Sequence, residues 1–220
     1  MKKVIVTVLS AALLLMGTQA KAQLSVGAGY LNTTETTVNT SYSTASSANL
    51  NGFYAGGQYN IPIVAGLGVA PGLYASMLFG SAKDGAEIAG IVTTSGTAKY
   101  SELALNVPVN VNYAFNLNRD TKLFVYAGPV FQYGLFSKTN TTGSVTVIGF
   151  TANSNGTTDN YNGDNASRKP FNVYAGGGVG LQAGSFQVIL GYDMNVTNAS
   201  SLSNTVLSRS QIKVGFGMAF

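Results

Sequence analysis

The last ten residues of the chain alternate without a break. Ile212, Val214, Phe216, Met218 and Phe220 share one parity, while Gln211, Lys213, Gly215, Gly217 and Ala219 share the other. Period-two alternation puts one set of side chains on each face of an extended strand. One face of this strand is therefore uniformly apolar, and the other is small or polar. Leu103, Leu105, Val107, Val109, Val111 and Tyr113 repeat the split against Glu102, Ala104, Asn106, Pro108, Asn110 and Asn112. Phe186, Val188, Leu190, Tyr192 and Met194 repeat it against Gln187, Ile189, Gly191 and Asp193. Weaker versions occupy 23–34, 50–61, 66–80, 121–137 and 170–182. No helical period sustains itself beyond Gln23.

Eight segments of about ten residues match the length of membrane β-strands, and an even strand number is the rule for single-chain bacterial barrels. The connections support this. Segments 35–49, 81–97, 138–169 and 196–208 are long and rich in Thr, Ser, Asn and Gly, whereas those near 62–65, 117–120 and 183–185 are short turns. Alternating long and short connections predict an all-β, eight-stranded antiparallel up-and-down transmembrane β-barrel. The long loops are then expected outside and both termini in the periplasm.

A soluble barrel of eight strands is the rival, and composition separates the two. Only 9% of residues are charged, against roughly a quarter in an average soluble domain. Too few charges remain to cover a water-facing exterior, so the polar face suits a narrow lumen. The amino terminus supports export. Lys2 and Lys3 precede an apolar run from Val4 to Met16, and Ala20-Lys21-Ala22 is a small-x-small cleavage site. Residues 1–22 are expected to be a cleavable signal peptide and 23–220 the barrel domain. Removing Lys2, Lys3 and Lys21 from the 12 basic residues leaves nine against eight acidic ones. The basic balance thus belongs to the leader and argues for no nucleic-acid partner.

Inward parity falls on Tyr54, Tyr74, Tyr126 and Tyr174, each followed by Ala and then a small residue. Alternating large and small side chains is how a small barrel fills its interior. An interfacial aromatic girdle is the alternative position for these tyrosines. Glu102, Asp193 and Lys213 also have lumen parity. Unpaired charge in a dry lumen costs several kcal/mol, so Asp193 and Lys213 are expected face to face as a cross-strand ion pair in a structural plug.

The terminal run Lys213-Val214-Gly215-Phe216-Gly217-Met218-Ala219-Phe220 resembles the terminal-aromatic signal of outer-membrane proteins. The resemblance implies that the barrel assembly machinery reads this last strand through Phe216 and Phe220. The chain from Gln23 to Phe220 resembles the outer-membrane β-barrel domain family, with the architecture of OmpX and the OmpA transmembrane domain. Leu105-Asn106-Val107-Pro108-Val109-Asn110-Val111 is similar to a strand of its PorT-like members.

Catalysis finds little purchase. The chain has no His and no Cys, which removes Ser-His and Asp-His mechanisms and the usual transition-metal ligands. Gly178-Val179-Gly180-Leu181-Gln182-Ala183 matches a dinucleotide fingerprint but precedes no helix. Asp159, Asn160, Asn162 and Asp164 could hold a hard cation weakly, yet their spacing fails the EF-hand pattern. No enzyme activity, cofactor or metal is expected. The sequence points to a monomeric membrane scaffold among outer-membrane lipids, with surface ligands, if any, met by segments 35–49 and 138–169. A narrow transport path past Gln58, Gln132, Gln182 and Gln187 is the alternative.

Overall fold

The computed structural model describes residues 23–41, 43–88, 92–147, 150–163 and 166–220, so the leader expected at 1–22 lies outside the described residues. Nine strands run in chain order: β1 (Gln23–Asn39), β2 (Thr44–Val64), β3 (Leu67–Ile88), β4 (Val92–Asn116), β5 (Thr121–Val147), β6 (Phe150–Asp159), β7 (Phe171–Ala183), β8 (Phe186–Asn195) and β9 (Thr205–Ala219). Every pairing is antiparallel, and β1 pairs with both β2 and β9, so the ring closes. Eight strands make that ring, because β7 pairs with the first half of β5 while β6 pairs only with its second half. The strand left over, β6, extends one hairpin beyond the ring.

The register fixes the tilt. From Asn32, successive partners are Ile212, Tyr192, Gly177, Ala127, Val111, Val69 and Ile61. Ile61 meets β1 one position before Gln23, the partner of Asn60. The path returns at position 22 instead of 32, a shear of ten residues. Shear and strand number together impose strong strand tilt and an interior just wide enough for side chains.

Three short turns mark one end of the barrel. Ala65 and Gly66 both have positive φ, 36° and 89°, as a two-residue hairpin matched to strand twist requires. Asn118 Oδ1 accepts the amides of Asp120 and Thr121 at 3.0 and 2.7 Å, and Gly184-Ser185 joins β7 to β8. Both ends of the ring strands, Gln23 and Phe220, lie here; Phe220 N–H donates to Leu24 O at 2.8 Å.

At the opposite, hairpin end the segments expected as long loops are mostly strand. Segment 35–49 continues β1 and β2, with turn residues at 40, 41 and 43, and 81–97 continues β3 and β4. Within 138–169, residues 138–147 and 150–159 form a hairpin. Segment 196–208 loses its last residues to β9. The physical reason is that Thr suits an exposed strand as well as a loop. Beyond the ring, β2–β3 pairing stops at Asn51–Phe79 while β1–β2 and β3–β4 run on. The extensions therefore split into two sheets, β9-β1-β2 and β3-β4-β5-β6.

Outward side chains form an apolar band: Leu24, Val26 and Tyr30 on β1, Leu73, Met77 and Phe79 on β3, Val107 to Phe115 at odd positions on β4, and Ile212 to Met218 at even positions on β9, with Phe220 just beyond it. Inward, glycines make room for rings. A methyl on Gly215 would overlap the Tyr54 hydroxyl, and one on Gly191 that of Tyr126.

Candidate functional site

The interior has two storeys. At the hairpin end, Arg209 on β9 is 3% exposed and lies between two carboxylates. Its Nη2 is 2.6 Å from Glu35 Oε1 on β1 and 2.8 Å from Glu102 Oε2 on β4, and its Nη1 donates to Glu102 Oε1 at 2.9 Å. Strands β4 and β9 stand on different sides of the ring, so this contact spans the lumen. Arg168, from the β6–β7 loop, adds a second guanidinium. It forks onto both oxygens of Glu35 and stacks 4.4 Å above the Tyr100 ring. Tyr100 hydroxyl donates to Glu102 and accepts from Ser137 Oγ at 3.0 Å.

The loop that delivers Arg168 is itself tied down. Arg168 pairs with Ser200 as an isolated bridge, Lys169 N–H donates to Ala199 O at 2.8 Å, and Ser201 Oγ donates to Ala166 O at 2.6 Å. The β6–β7 and β8–β9 loops thus clasp across one side of the mouth. Below the ions, Tyr174 hydroxyl donates to Gln132 Oε1 at 3.1 Å, and Gln132 Nε2 donates to Asn106 Oδ1 at 3.1 Å. Tyr174 and Gln132 are each 1% exposed, so this layer is packed.

The storey nearer the turns is looser. A cavity of about 140 Å³ is lined by Tyr54, Tyr74, Tyr126, Gln58, Asp193 and Lys213, and reaches Gln182 and Lys122 near the turns. Its lining does not include Glu35, Glu102 or Arg209. Lys213 Nζ lies 2.5 Å from Asp193 Oδ2. Asp193 Oδ1 and Gln211 Nε2, on directly paired residues, have no hydrogen-bond partner. Tyr54 and Tyr74 pack edge to face, with centroids 5.9 Å apart. Gln187 Nε2 donates to Gln182 Oε1 at 3.2 Å and to Ser25 Oγ at 3.4 Å.

The sequence-derived grouping needs three corrections. Asp193 stands opposite Gln211 and Lys213 opposite Gly191, so their contact is diagonal, not face to face. The midpoint of 196–208, residue 202, itself pairs Asp193 with Gln211, so the face-to-face expectation misplaces Lys213 by two residues. Glu102 does not join that pair; it belongs to the Arg209 cluster. Glu35, read as a loop residue, is a strand residue with the inward parity of Leu31 and Thr33. Continuing the β1 alternation from Leu31 through Thr33 to Glu35 would have found it; likewise Arg209 shares parity with Gln211 and Lys213. Arg168 carries no periodic signal.

Gln132 is locked in its hydrogen-bonded layer and does not line the cavity with Gln58, Gln182 and Gln187. Gly178–Ala183 lies in β7, followed by a turn and β8. Asp159 accepts the amides of Tyr161 and Asn162 at 3.0 and 3.2 Å, while Asn160 turns inward onto Ser137; Asp164 lies outside the described residues. These groups do not converge.

A closed antiparallel ring with an apolar exterior and a polar, ion-paired core defines an integral outer-membrane β-barrel protein. The chain belongs to the outer membrane protein beta-barrel domain family, whose profile matches residues 18–201. No curated protein matches it significantly in sequence. Among solved structures it is similar to Ail, the attachment invasion locus protein of Yersinia pestis, crystallised with the heparin analogue sucrose octasulfate. Identity is 14%, coverage 90% of this chain and 99% of that one, and the TM-score 0.39. Neisserial surface protein A matches at 12% identity, 90% and 97% coverage and a TM-score of 0.38. The outer membrane protease OmpT of Escherichia coli matches at 8% identity, 90% and 96% coverage and a TM-score of 0.33.

Proposed function

We propose that the protein is a non-catalytic outer-membrane scaffold that holds two β-sheets beyond the membrane surface as an interaction platform. The hairpin end faces outward and the termini face the periplasm. The Arg209 cluster carries this reading. It joins β1, β4, β9 and the β6–β7 loop across the lumen, and a buried ion network is held by several kcal/mol against loss of a partner. A solute path would have to break it. Specificity on such a platform resides in the projecting segments, since a rigid scaffold commonly carries its binding residues there. Absence of His and Cys from the chain, and engagement of Glu35 and Glu102 by arginines, support a non-catalytic role.

A second reading, a narrow path for small solutes, is favoured by one observation: the 140 Å³ cavity reaching the turn end. Single-channel recording separates the two. Mature protein in planar bilayers is expected to give no discrete openings at neutral pH. Sustained unitary openings would establish transport and defeat the scaffold reading.

A further inference from the structure

Basic residues are unevenly spread. Arg168, Arg209 and Lys213 are engaged inside the barrel, Lys122 lines the cavity, and Arg119 sits in a turn. The remaining four basic residues of 23–220, Lys83, Lys99, Lys138 and Lys169, are all exposed at the hairpin end between β3 and β7. Outward positions of β1, β2, β8 and β9 at that end carry Asn, Ser, Thr, Met and Val instead.

Lys83, Lys99 and Lys138 share the outer face of three neighbouring strands. Lys83 and Lys99 have the parity of the exposed Phe79 and Val107. Lys138 points outward because of a bulge. Leu103 and Ala104 on β4 face Phe136 and Gly134 on β5, which leaves Leu135 as an extra residue. Below the bulge Gln132 is inward; above it Ser137 is inward and Lys138 outward. A bulge re-aims a side chain in this way.

The three lysines also lie nearly level. Lys83 is opposite Thr97, so Lys99 is two residues nearer the turn end; Lys99 is opposite Asn140, so Lys138 is again two residues nearer. A shear of ten over eight strands requires a step of just over one residue per strand in this same sense to stay at constant height. Diagonal neighbours on a sheet are about 7–8 Å apart. The row stands two to four residues beyond Phe79, Leu103 and Phe136, where the apolar band ends. At about 3.3 Å per residue along a tilted strand, this is the depth of the headgroup layer.

Neither Lys83 nor Lys99 makes an ion pair among the described residues. Lys138 faces Asp159 across the register, whose carboxylate is held below its ordinary range by the Tyr161 amide and then the Asn162 contacts. Asp84 and Glu87 lie further along β3 toward the hairpin tip.

We infer that Lys83, Lys99 and Lys138 form a docking surface for the phosphate-bearing headgroups of outer-leaflet glycolipid around the barrel. Lysine is a point-charge partner for phosphate. A level row at headgroup depth faces lipid continuously, and an acidic protein would have to displace that lipid to reach it. The inference rests on the outward orientation proposed above. Binding in detergent needs no sidedness, so its failure is separable from failure of that orientation, which protease access in whole cells reports.

The test is native mass spectrometry of the folded mature chain in neutral detergent, with bisphosphorylated lipid A or the same lipid dephosphorylated. The bisphosphorylated form is expected to be retained preferentially. The variant K83Q/K99Q/K138Q should lose that preference, at roughly fivefold per lysine, while keeping the heat-dependent gel shift of a folded barrel. Lys122→Gln, at the turn end, should leave it intact. Equal retention of both lipids, or an undiminished preference in the triple variant, would overturn the inference. Displacement by millimolar inorganic phosphate or poly-glutamate as effective as by lipid would also overturn it, in favour of a free-anion or acidic-protein surface.

Discussion

Two ion groups share one lumen and differ in what surrounds them. Arg209 has two carboxylates, with its side chain 1% exposed and packed layers beneath it. Lys213 has one carboxylate, a side chain 21% exposed, and a cavity at its flank. A charge with two partners and no room for water must be paired to be tolerated at all; a charge beside a polar cavity can be hydrated instead. The first group therefore acts as a cross-brace and seal. The second fixes local register and leaves space.

Substitution should expose the contrast most at Arg209. Arg209→Ala strands Glu102 and leaves Glu35 with Arg168 alone, and breaking a buried pair by removing one partner costs about 3–5 kcal/mol. Urea unfolding of the barrel in lipid vesicles is the measurement. A loss under about 1 kcal/mol would mean that the hairpin storey is wetter than its geometry implies. Lys213→Ala should cost less, about 1–3 kcal/mol, because water from the cavity can reach Asp193. If the two substitutions cost the same in that assay, the difference between the storeys is structural only, with no energetic consequence.

The strands of the ring were legible because a barrel wall separates lipid from lumen at every residue, so parity survives even where propensity is weak. Tyr54, Tyr74 and Tyr126 line the cavity and Tyr174 is buried in the layer above it. Parity failed where both faces are polar. Glu35 to Asn39 and Thr44 to Asn49 read as loop because nothing apolar alternates there, although β1 and β2 stay paired to the turn. That hid Glu35. The register of β8 on β9 was legible, since its partners are symmetric about residue 202, the middle of 196–208; Lys213 reaches Asp193 diagonally because its side chain is long enough to span two positions. Arg168 is the opposite case. Its role depends on β6–β7 and β8–β9 loops clasping one another, a contact that no local pattern encodes.

The chain contains no cysteine, so single cysteines can report water access to each storey without background. Asn112→Cys lines the turn-end cavity, and Thr33→Cys sits at a fully buried, near-isosteric inward position beside Gln211. The direct measurement is the reaction rate of each folded variant with a small, charged, membrane-impermeant thiol reagent, added to both sides. Labelling of Asn112→Cys with protection of Thr33→Cys is the predicted result. Comparable rates at the two positions would contradict a barrel sealed at its hairpin end.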